Sequence, residues 1–258
     1  MSYNGFDLTG RVAVVVGGTS GIGQALARGL AEAGADVIPT GRRTDLVEAA
    51  AKEIEALGRR SLRISSDVLD RTSLQTLLDA AVAKFGKVDI LVNAAGRTKR
   101  TAFLDVSEAD WSEIIETNLN GAYRVSQVFG KHMVERKYGR IINIASLASF
   151  VGLFEVAAYG ASKSGLASLT RTLAIEWAQY GVCVNAIAPG VFRTALNEKL
   201  LDGTARGQEF LTRTPMKRFG RVEELVPAAI FLASDAASFV TGTLLQVDGG
   251  FLASGVNQ

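Results

Sequence analysis

"RVAVVVGGTSGIG", residues 11–23, is a β-branched apolar run that meets a glycine cluster with nothing in between. The run shows no alternation of polar and apolar positions, so it reads as a strand covered on both faces, the habit of parallel sheets. Beyond the glycines, Ile22, Leu26, Leu30 and Ala33 recur at helical spacing. Strand, glycine turn and helix in that order make a phosphate cradle. Gly17 permits the tight turn, Gly21 lets backbone approach a pyrophosphate, and Gly23 lets the helix pack against the strand. The helix start adds free N–H groups and the positive end of its dipole. Thr19, Ser20 and Ile22 share the turn and are counted with the glycines as nucleotide contacts.

The same grammar repeats along the chain. Further short apolar runs occupy residues 35–40, 60–65, 88–93, 139–145, 182–188 and 243–248, with helical patterns between them. Seven parallel strands alternating with helices predict a doubly wound α/β (Rossmann) sheet, helices on both faces. No repeat of fixed period, low-complexity tract or linker divides the chain, so residues 1–258 read as one nucleotide-binding domain. The segment at about 195–221, "ALNEKLLDGTARGQEFLTRTPMKRFGR", breaks the rhythm. It is charged, carries no strand pattern, and follows the sixth run, where ligands of open α/β sheets bind. It is expected to be a substrate lid; the plainer alternative is a pair of surface helices.

Composition excludes several classes. Of 258 residues, 48% are apolar and 21% charged, and the formal charge is +2, which leaves no field suited to nucleic acid. No apolar segment approaches a membrane span. The N-terminus lacks the pattern of a secretory signal, and the expected compartment is the cytoplasm. The one cysteine, Cys183, lies in "VCVNAIA" and reads as a small buried hydrophobe. The one histidine, His132, rules out a multi-histidine metal site and is expected to be solvated at the end of a helix.

The end of the second run addresses the choice of cofactor. NAD binding in this architecture uses a carboxylate there, about 20 residues past the glycines. This chain has "PTGRRTD", with Arg42 and Arg43 after Gly41, while Asp36 lies at the wrong end of the run and Asp45 begins the next helix. Guanidinium binds a 2′-phosphate bidentately, so NADP is favoured and NAD remains the alternative.

"YGASK", residues 159–163, carries the chemistry. A phenol with a pKa of about 10 is not a useful acid or base near neutrality. Tyr159 and Lys163, at i and i+4, share a helix face, and a fixed ammonium favours the phenolate. The expectation is that Lys163 lowers the pKa of Tyr159 into a working range. Ser146 precedes this pair by thirteen residues at the end of the fifth run.

With these residues in place, the chain resembles the short-chain dehydrogenase/reductase family over its whole length. The resemblance rests on "GGTSGIG", Asp67-Val68, "NAAG" (93–96), Asn118 in "TNLNGAY", Ser146, "YGASK" and "PGVFRT" (189–194), in the family's order. It implies that Tyr159 is the acid/base, that Ser146 binds the reacting oxygen, that Lys163 binds the nicotinamide ribose, and that Asn118 holds a water in the proton relay. It also implies that Asp67 and Val68 flank the adenine, that Asn93, Ala94 and Gly96 border the ribose, and that Pro189, Gly190 and Thr194 line the nicotinamide. The chain departs from the family pattern at Val16, usually Thr, and at Ala94, usually Asn. The two losses are expected to compensate, leaving no unpaired buried donor in the turn.

The substrate is read from "RTKRTAF" after the fourth run. Lys99 and Arg100 are expected to hold an anionic group, Ser146 and Tyr159 its reacting end; a solvated loop is the alternative. Together with "HMVERKYGRIINIAS" and "RTPMKRFG", this resembles the branch that acts on gluconate and 2-deoxygluconate. A 3-oxoacyl-[acyl-carrier-protein] reductase is the rival, with Lys131, Arg136, Lys137 and Arg140 as its docking face. A non-catalytic NADP-binding regulator is a third reading, opposed by the complete Asn-Ser-Tyr-Lys set. Apolar residues beyond one face of the helices around 108–137 and 159–180, among them Ile114, Val125, Phe129, Leu166, Leu173 and Trp177, together with the family analogy, imply a homotetramer.

Overall fold

The structure is a computed structural model that describes residues 4–194 and 197–255. β1 (Val12–Val16) turns into α1 (Gly21–Glu32), and β2 (Asp36–Thr40) into α2 (Thr44–Ala56). α3 (Arg71–Phe85) leads to β3 (Ile90–Asn93), then α4 (Glu108–Ile115) and α5 (Gly121–Glu135) to β4 (Gly139–Ile144). α6 (Ala157–Trp177) leads to β5 (Val182–Pro189). α7 (Glu198–Leu201), α8 (Ala205–Arg213) and α9 (Val226–Ala233) precede β6 (Leu244–Val247). All pairings are parallel, in the order β2-β1-β3-β4-β5-β6. The chain steps outward from β1 to β2, then crosses back to β3, so the switch point lies between the carboxyl ends of β1 and β3, where such sheets bind ligands.

The unbroken burial of β1 reflects helices on both sides. Ala13 and Val15 join Leu26, Leu30, Leu225 and Leu232 beneath α1 and α9. Val12, Val14 and Val16 join Leu74, Leu77, Phe129 and Met133 beneath α3 and α5. Alternate residues of one strand thus feed two cores. Ile114, Val125, Phe129 and Leu166 are all buried, so the apolar surplus predicted on those helices is largely the domain's own interior. Cys183 is buried, as expected.

The sheet has six strands among the described residues, not seven. The run at 60–65 lies beside β2 without forming a ladder. Odd-numbered residues of β2 point their N–H groups toward that run, and Val37 N does bond Arg60 O at 3.1 Å. The next donor in line would be Pro39, which has no N–H. Only one further backbone bond follows, Ser66 N to Gly41 O at 3.0 Å.

At the amino ends of the strands the structure corrects two more expectations. His132 is not simply solvated: its Nε2 accepts the N–H of Val88 at 3.2 Å, a donor exposed by the start of β3. Burial is the main reason its pKa falls below the usual histidine value. Arg140 is 4% exposed and donates to carbonyls of Gly139 and Ser234, while Arg136 turns to Asp89. The predicted basic docking face therefore loses two of its four members to internal contacts.

Candidate active site

The glycine turn fits the roles assigned to it. Gly17 has φ 81°, and a Cβ there would stand 2.6 Å from Ala95 N. A Cβ on Gly23 would stand 2.1 Å from Gly17 O, so only glycine lets α1 approach this closely. Gly21 has φ 54° and open space around it, as a backbone facing a phosphate requires. Ser20 is the N-cap of α1 and makes no side-chain cap bond, which leaves the first-turn N–H groups to serve an anion. Backbone bonds tie the turn where Val16 and Ala94 lack polar side chains. Gly17 N and Gly18 N both reach Thr40 O, at 2.9 and 3.1 Å, and Ala94 N reaches Val16 O at 2.8 Å. Among the described residues, no buried side-chain donor of this turn is left unpaired.

Thr40 is fully buried and bonds Ile64 O and Ser66 Oγ, fixing the end of β2. A Cβ on Gly41 would lie 3.2 Å from Thr19 Oγ1, so the two turns meet here. Arg42 and Arg43 follow, exposed, and neither forms an ion pair among the described residues. Asp36 is engaged at the opposite end of its strand by Arg60, at 2.6 Å. Asp67 is held by Leu69 N and by its own N–H on Ser73 Oγ. Val68 is buried against Gly121, where a Cβ would come within 2.8 Å.

Asn93, at the end of β3, donates to Asn143 Oδ1 at 2.8 Å and Ser126 Oγ at 3.2 Å. Asn143 passes the chain to Thr170 on α6. The Oδ1 of Asn93 is buried with no partner, which is costly unless a ligand hydroxyl meets it. That atom, the open Gly21 and the free first-turn N–H groups together fit a nucleotide cofactor. No local spacing in the sequence marks the Ser126–Asn93–Asn143–Thr170 chain.

Asn118 sits in a π-helical turn, Glu116–Asn120, between α4 and α5. Such a turn inserts one extra residue into a helix and is frequent at functional sites. Asn118 is 1% exposed, and its amide pairs with both backbone groups of Arg97, at 2.8 and 2.9 Å. It also donates to Ser162 Oγ at 3.0 Å, which in turn bonds Tyr159 O at 2.7 Å. Ser162 is the fourth residue of "YGASK", and no local spacing marks this structural use of it. A Cβ on Gly96 would lie 3.5 Å from Asn118 Oδ1 and 3.6 Å from Lys163 Nζ, so glycine here keeps both groups accessible.

Ser146 ends the segment after β4, and its Oγ accepts Ala148 N at 3.1 Å. α6 then brings Tyr159 and Lys163 back to it. Ser149 Oγ bonds Lys163 O at 2.9 Å, locking that loop to the helix. Lys163 is 5% exposed; its Nζ donates to Ile144 O at 2.6 Å and lies 5.7 Å from the Tyr159 ring centre. Burial pushes the lysine pKa down to about 8. Burial pushes the tyrosine up, opposed by its hydrogen bond with Ser146. The chain alone therefore supplies the serine half of the tuning and not the lysine half. The ammonium faces a carbonyl and the ring rather than the phenolic oxygen.

Pro189 and Gly190 end β5, where Gly190 N bonds Val247 O at 2.8 Å and a Cβ would stand 2.6 Å from the Asp248 backbone. Thr194 N is fixed by Asn197 Oδ1 at 2.8 Å. Of the segment predicted as a lid, Ala195 and Leu196 lie outside the described residues; the rest contains α7, α8 and a non-helical stretch at 214–221, with Phe210 and Arg213 of α8 packed on Phe251. The basic cluster after β3 is not free. Arg97 pairs with Glu113, Lys99 with Asp110 at 2.7 Å, and Arg100 with Glu155.

A core of two stacked apolar layers, a phosphate turn and a Ser-Tyr-Lys-Asn cluster at one sheet edge define a class, and the comparisons agree with it. The family model described as enoyl-(acyl carrier protein) reductase matches residues 16–252. The chain belongs to the short-chain dehydrogenase/reductase family. Within it, the chain is 42% identical to 2-dehydro-3-deoxy-D-gluconate 5-dehydrogenase of Escherichia coli, covering 98% of this chain and 100% of that protein. It is 39% identical to gluconate 5-dehydrogenase of Gluconobacter oxydans, covering 96% and 97%. A solved gluconate 5-dehydrogenase from Burkholderia cenocepacia, in complex with NADP and tartrate, superposes with a TM-score of 0.94 at 38% identity, covering 98% and 99%.

Proposed function

We propose that this chain is an NADP(H)-dependent oxidoreductase that interconverts a secondary alcohol and a ketone on a sugar acid. The observation that carries the reaction class is the convergence of Ser146, Tyr159, Lys163 and Asn118 at the carboxyl ends of β3 and β4. The nicotinamide cofactor supplies or accepts the hydride when bound. Tyr159 OH gives its proton to the forming alkoxide, and Ser146 Oγ holds that oxygen in line with it. Lys163 offers a buried ammonium to the ribose of the cofactor, and Asn118, held in the π-turn, offers a polar group to the proton relay.

NADP over NAD is supported by the free guanidinium groups of Arg42 and Arg43 and by the engagement of Asp36 at the far end of β2. The solved relative from Burkholderia holds NADP, which fits the same choice. The sugar-acid substrate is supported by the two named relatives. Residues 195–221 are proposed to cover the substrate, as α8 packs over the carboxyl end of β6 through Phe251. A homotetramer in the cytoplasm is the proposed assembly and compartment, with Ile175, 80% exposed on α6, available for subunit packing. No helix among the described residues is long and apolar enough to cross a membrane.

The test is a panel of 5-ketogluconate, a 3-deoxy keto sugar acid, acetoacetyl-CoA and an uncharged ketone, each with NADPH and NADH. Fastest NADPH oxidation with a keto sugar acid supports the proposal. Preference for acetoacetyl-CoA moves the chain to acyl reduction, faster NADH use overturns the cofactor choice, and cofactor binding without turnover restores the regulator.

A further inference from the structure

Ion-pair accounting around the loop after β3 and the first turn of α8 leaves Arg206 over among the described residues. Arg97, Lys99 and Arg100 each have a carboxylate: Glu113, Asp110 and Glu155. Arg206, in the first turn of α8, has none within ion-pair distance among the described residues. Its guanidinium donates to Phe154 O at 3.4 Å and lies 5.3 Å from the Phe210 ring centre. Burial first, and Arg100 next, hold its pKa below the usual guanidinium value, while Glu155 and, more weakly, Glu209 act the other way. Arg100 thus binds the carboxylate of Glu155, while Arg206, from a different segment, reaches the carbonyl of the preceding residue, Phe154.

Glu155 is itself unusual. It has φ 64°, a left-handed backbone that a non-glycine residue adopts at a cost, and such outliers cluster at ligand clamps. Its carbonyl accepts Thr101 N at 2.8 Å, and its carboxylate binds Arg100. The residue therefore joins the loop after β3 to the loop that runs from Ser146 to Tyr159, and Arg206 brings the lid segment to the same point.

We propose that Arg206 is the lid-borne anchor for the substrate's carboxylate, with the Arg100–Glu155 pair forming the floor on which that carboxylate is held. This deepens the sugar-acid reading and rests on it. A carboxylate ligand would give Arg206 the bidentate partner it lacks and bring the cluster to charge balance. An anchor on the lid also couples recognition to closure, because α8 gains its partner only when an acid is bound. Of the two cations singled out in the sequence, Lys99 is paired with Asp110 and is not part of the anchor, whereas Arg100 belongs to its floor.

A purely structural role, stapling the lid to Phe154, is the competing account, and it would slow all substrates alike. The experiment compares the full chain with Arg206→Gln and Arg206→Lys on 5-ketogluconate and on an uncharged ketohexose, with NADPH saturating. Tartrate binding to the NADPH-loaded proteins is measured by calorimetry. Losing a charge-assisted contact is expected to raise KM for the keto acid about 10- to 100-fold in Arg206→Gln. The ratio of kcat/KM between acid and uncharged ketone should fall by a similar factor, with tartrate affinity falling in parallel and partial recovery in Arg206→Lys. Equal losses on both ketones, or an unaltered ratio with unaltered tartrate affinity, overturns the anchor. If wild type reduces no keto sugar acid, the substrate reading falls, and tartrate alone decides the anchor. Binding that Arg206→Gln weakens supports it, and binding that is absent or insensitive overturns it.

Discussion

The two edges of the same sheet treat charge in opposite ways. At the amino ends of the strands, Asp89 is 1% exposed and fully engaged. It accepts Val12 N at 3.0 Å and pairs with Lys87 at 2.8 Å and Arg136 at 3.3 Å. At the carboxyl ends, Lys163 is nearly as buried but has only the Ile144 carbonyl and an aromatic ring for company. There too, among the described residues, lie the unpartnered Oδ1 of Asn93, Arg42 and Arg43 without an ion pair, and the left-handed Glu155. The first edge pairs its buried charge internally. The other keeps polar groups unsatisfied, which is useful only if a ligand completes them.

The largest expected effect is on chemistry at the unsatisfied edge. Tyr159→Phe removes the phenolic proton donor beside Ser146 while keeping the ring. General acid–base catalysis is worth about 10²–10⁴-fold, and kcat with a keto sugar acid should fall by about 10³. NADPH affinity, measured by fluorescence quenching, should change less than about threefold, since the lost hydroxyl is a proton-transfer group. A kcat within tenfold of wild type would mean that another residue carries the proton.

Stability separates the edges next, and the signs should be opposite. Asp89→Ala strips two cations and a backbone donor of their shared partner, and breaking a buried pair in this way costs about 3–5 kcal/mol. Lys163→Met removes a charge that burial disfavours. A lysine held at about 8 instead of 10.5 stores roughly 3 kcal/mol against folding at neutral pH. Part of that is offset by the stranded Ile144 carbonyl, about 1 kcal/mol. Lys163→Met should therefore be about 1–3 kcal/mol more stable than wild type in urea at pH 7, and inactive. The sign follows from linkage: between pH 8 and 10.5 the unfolded chain binds the extra proton, so wild type gains stability as pH rises through that window. The advantage of the methionine variant should shrink accordingly. If both variants lose stability alike, the two edges do not differ as described.

How much of this could be read from the sequence follows the range of each signal. Gly17, Gly21 and Gly23 were legible because positive φ and missing Cβ atoms are demands on residue type at fixed local spacing. "YGASK" was legible for the same reason, at i and i+4. The π-turn at Asn118 was not, because no residue type marks one. Lys99 and Arg100 could be seen as cations, but not that Asp110 and Glu155, 11 and 55 residues away, neutralise them. The third strand failed through its neighbour: the run at 60–65 is strand-like, and Pro39 in β2 denies it a ladder. Asn93, Asn143 and Thr170 meet only once three separate elements pack.

His132 gives the smallest effect and a clean one, since the chain has a single histidine. It belongs to the satisfied edge, where its Nε2 must stay unprotonated to accept Val88 N. Burial and Arg136 hold its pKa below 6.5, while Glu135 and Asp89 pull it upward. The folded value is therefore below the unfolded one. The unfolded chain takes up the proton first, so this contact's contribution is complete above about pH 6.5 and declines as pH falls below it. Gln at this position can offer an acceptor that does not titrate. Thermal midpoints of wild type and His132→Gln should run parallel above pH 7 and converge or cross toward pH 5, where the wild type loses its contact. Parallel curves down to pH 5 would show that the imidazole is solvated in both states, as its charged sequence neighbours alone suggested.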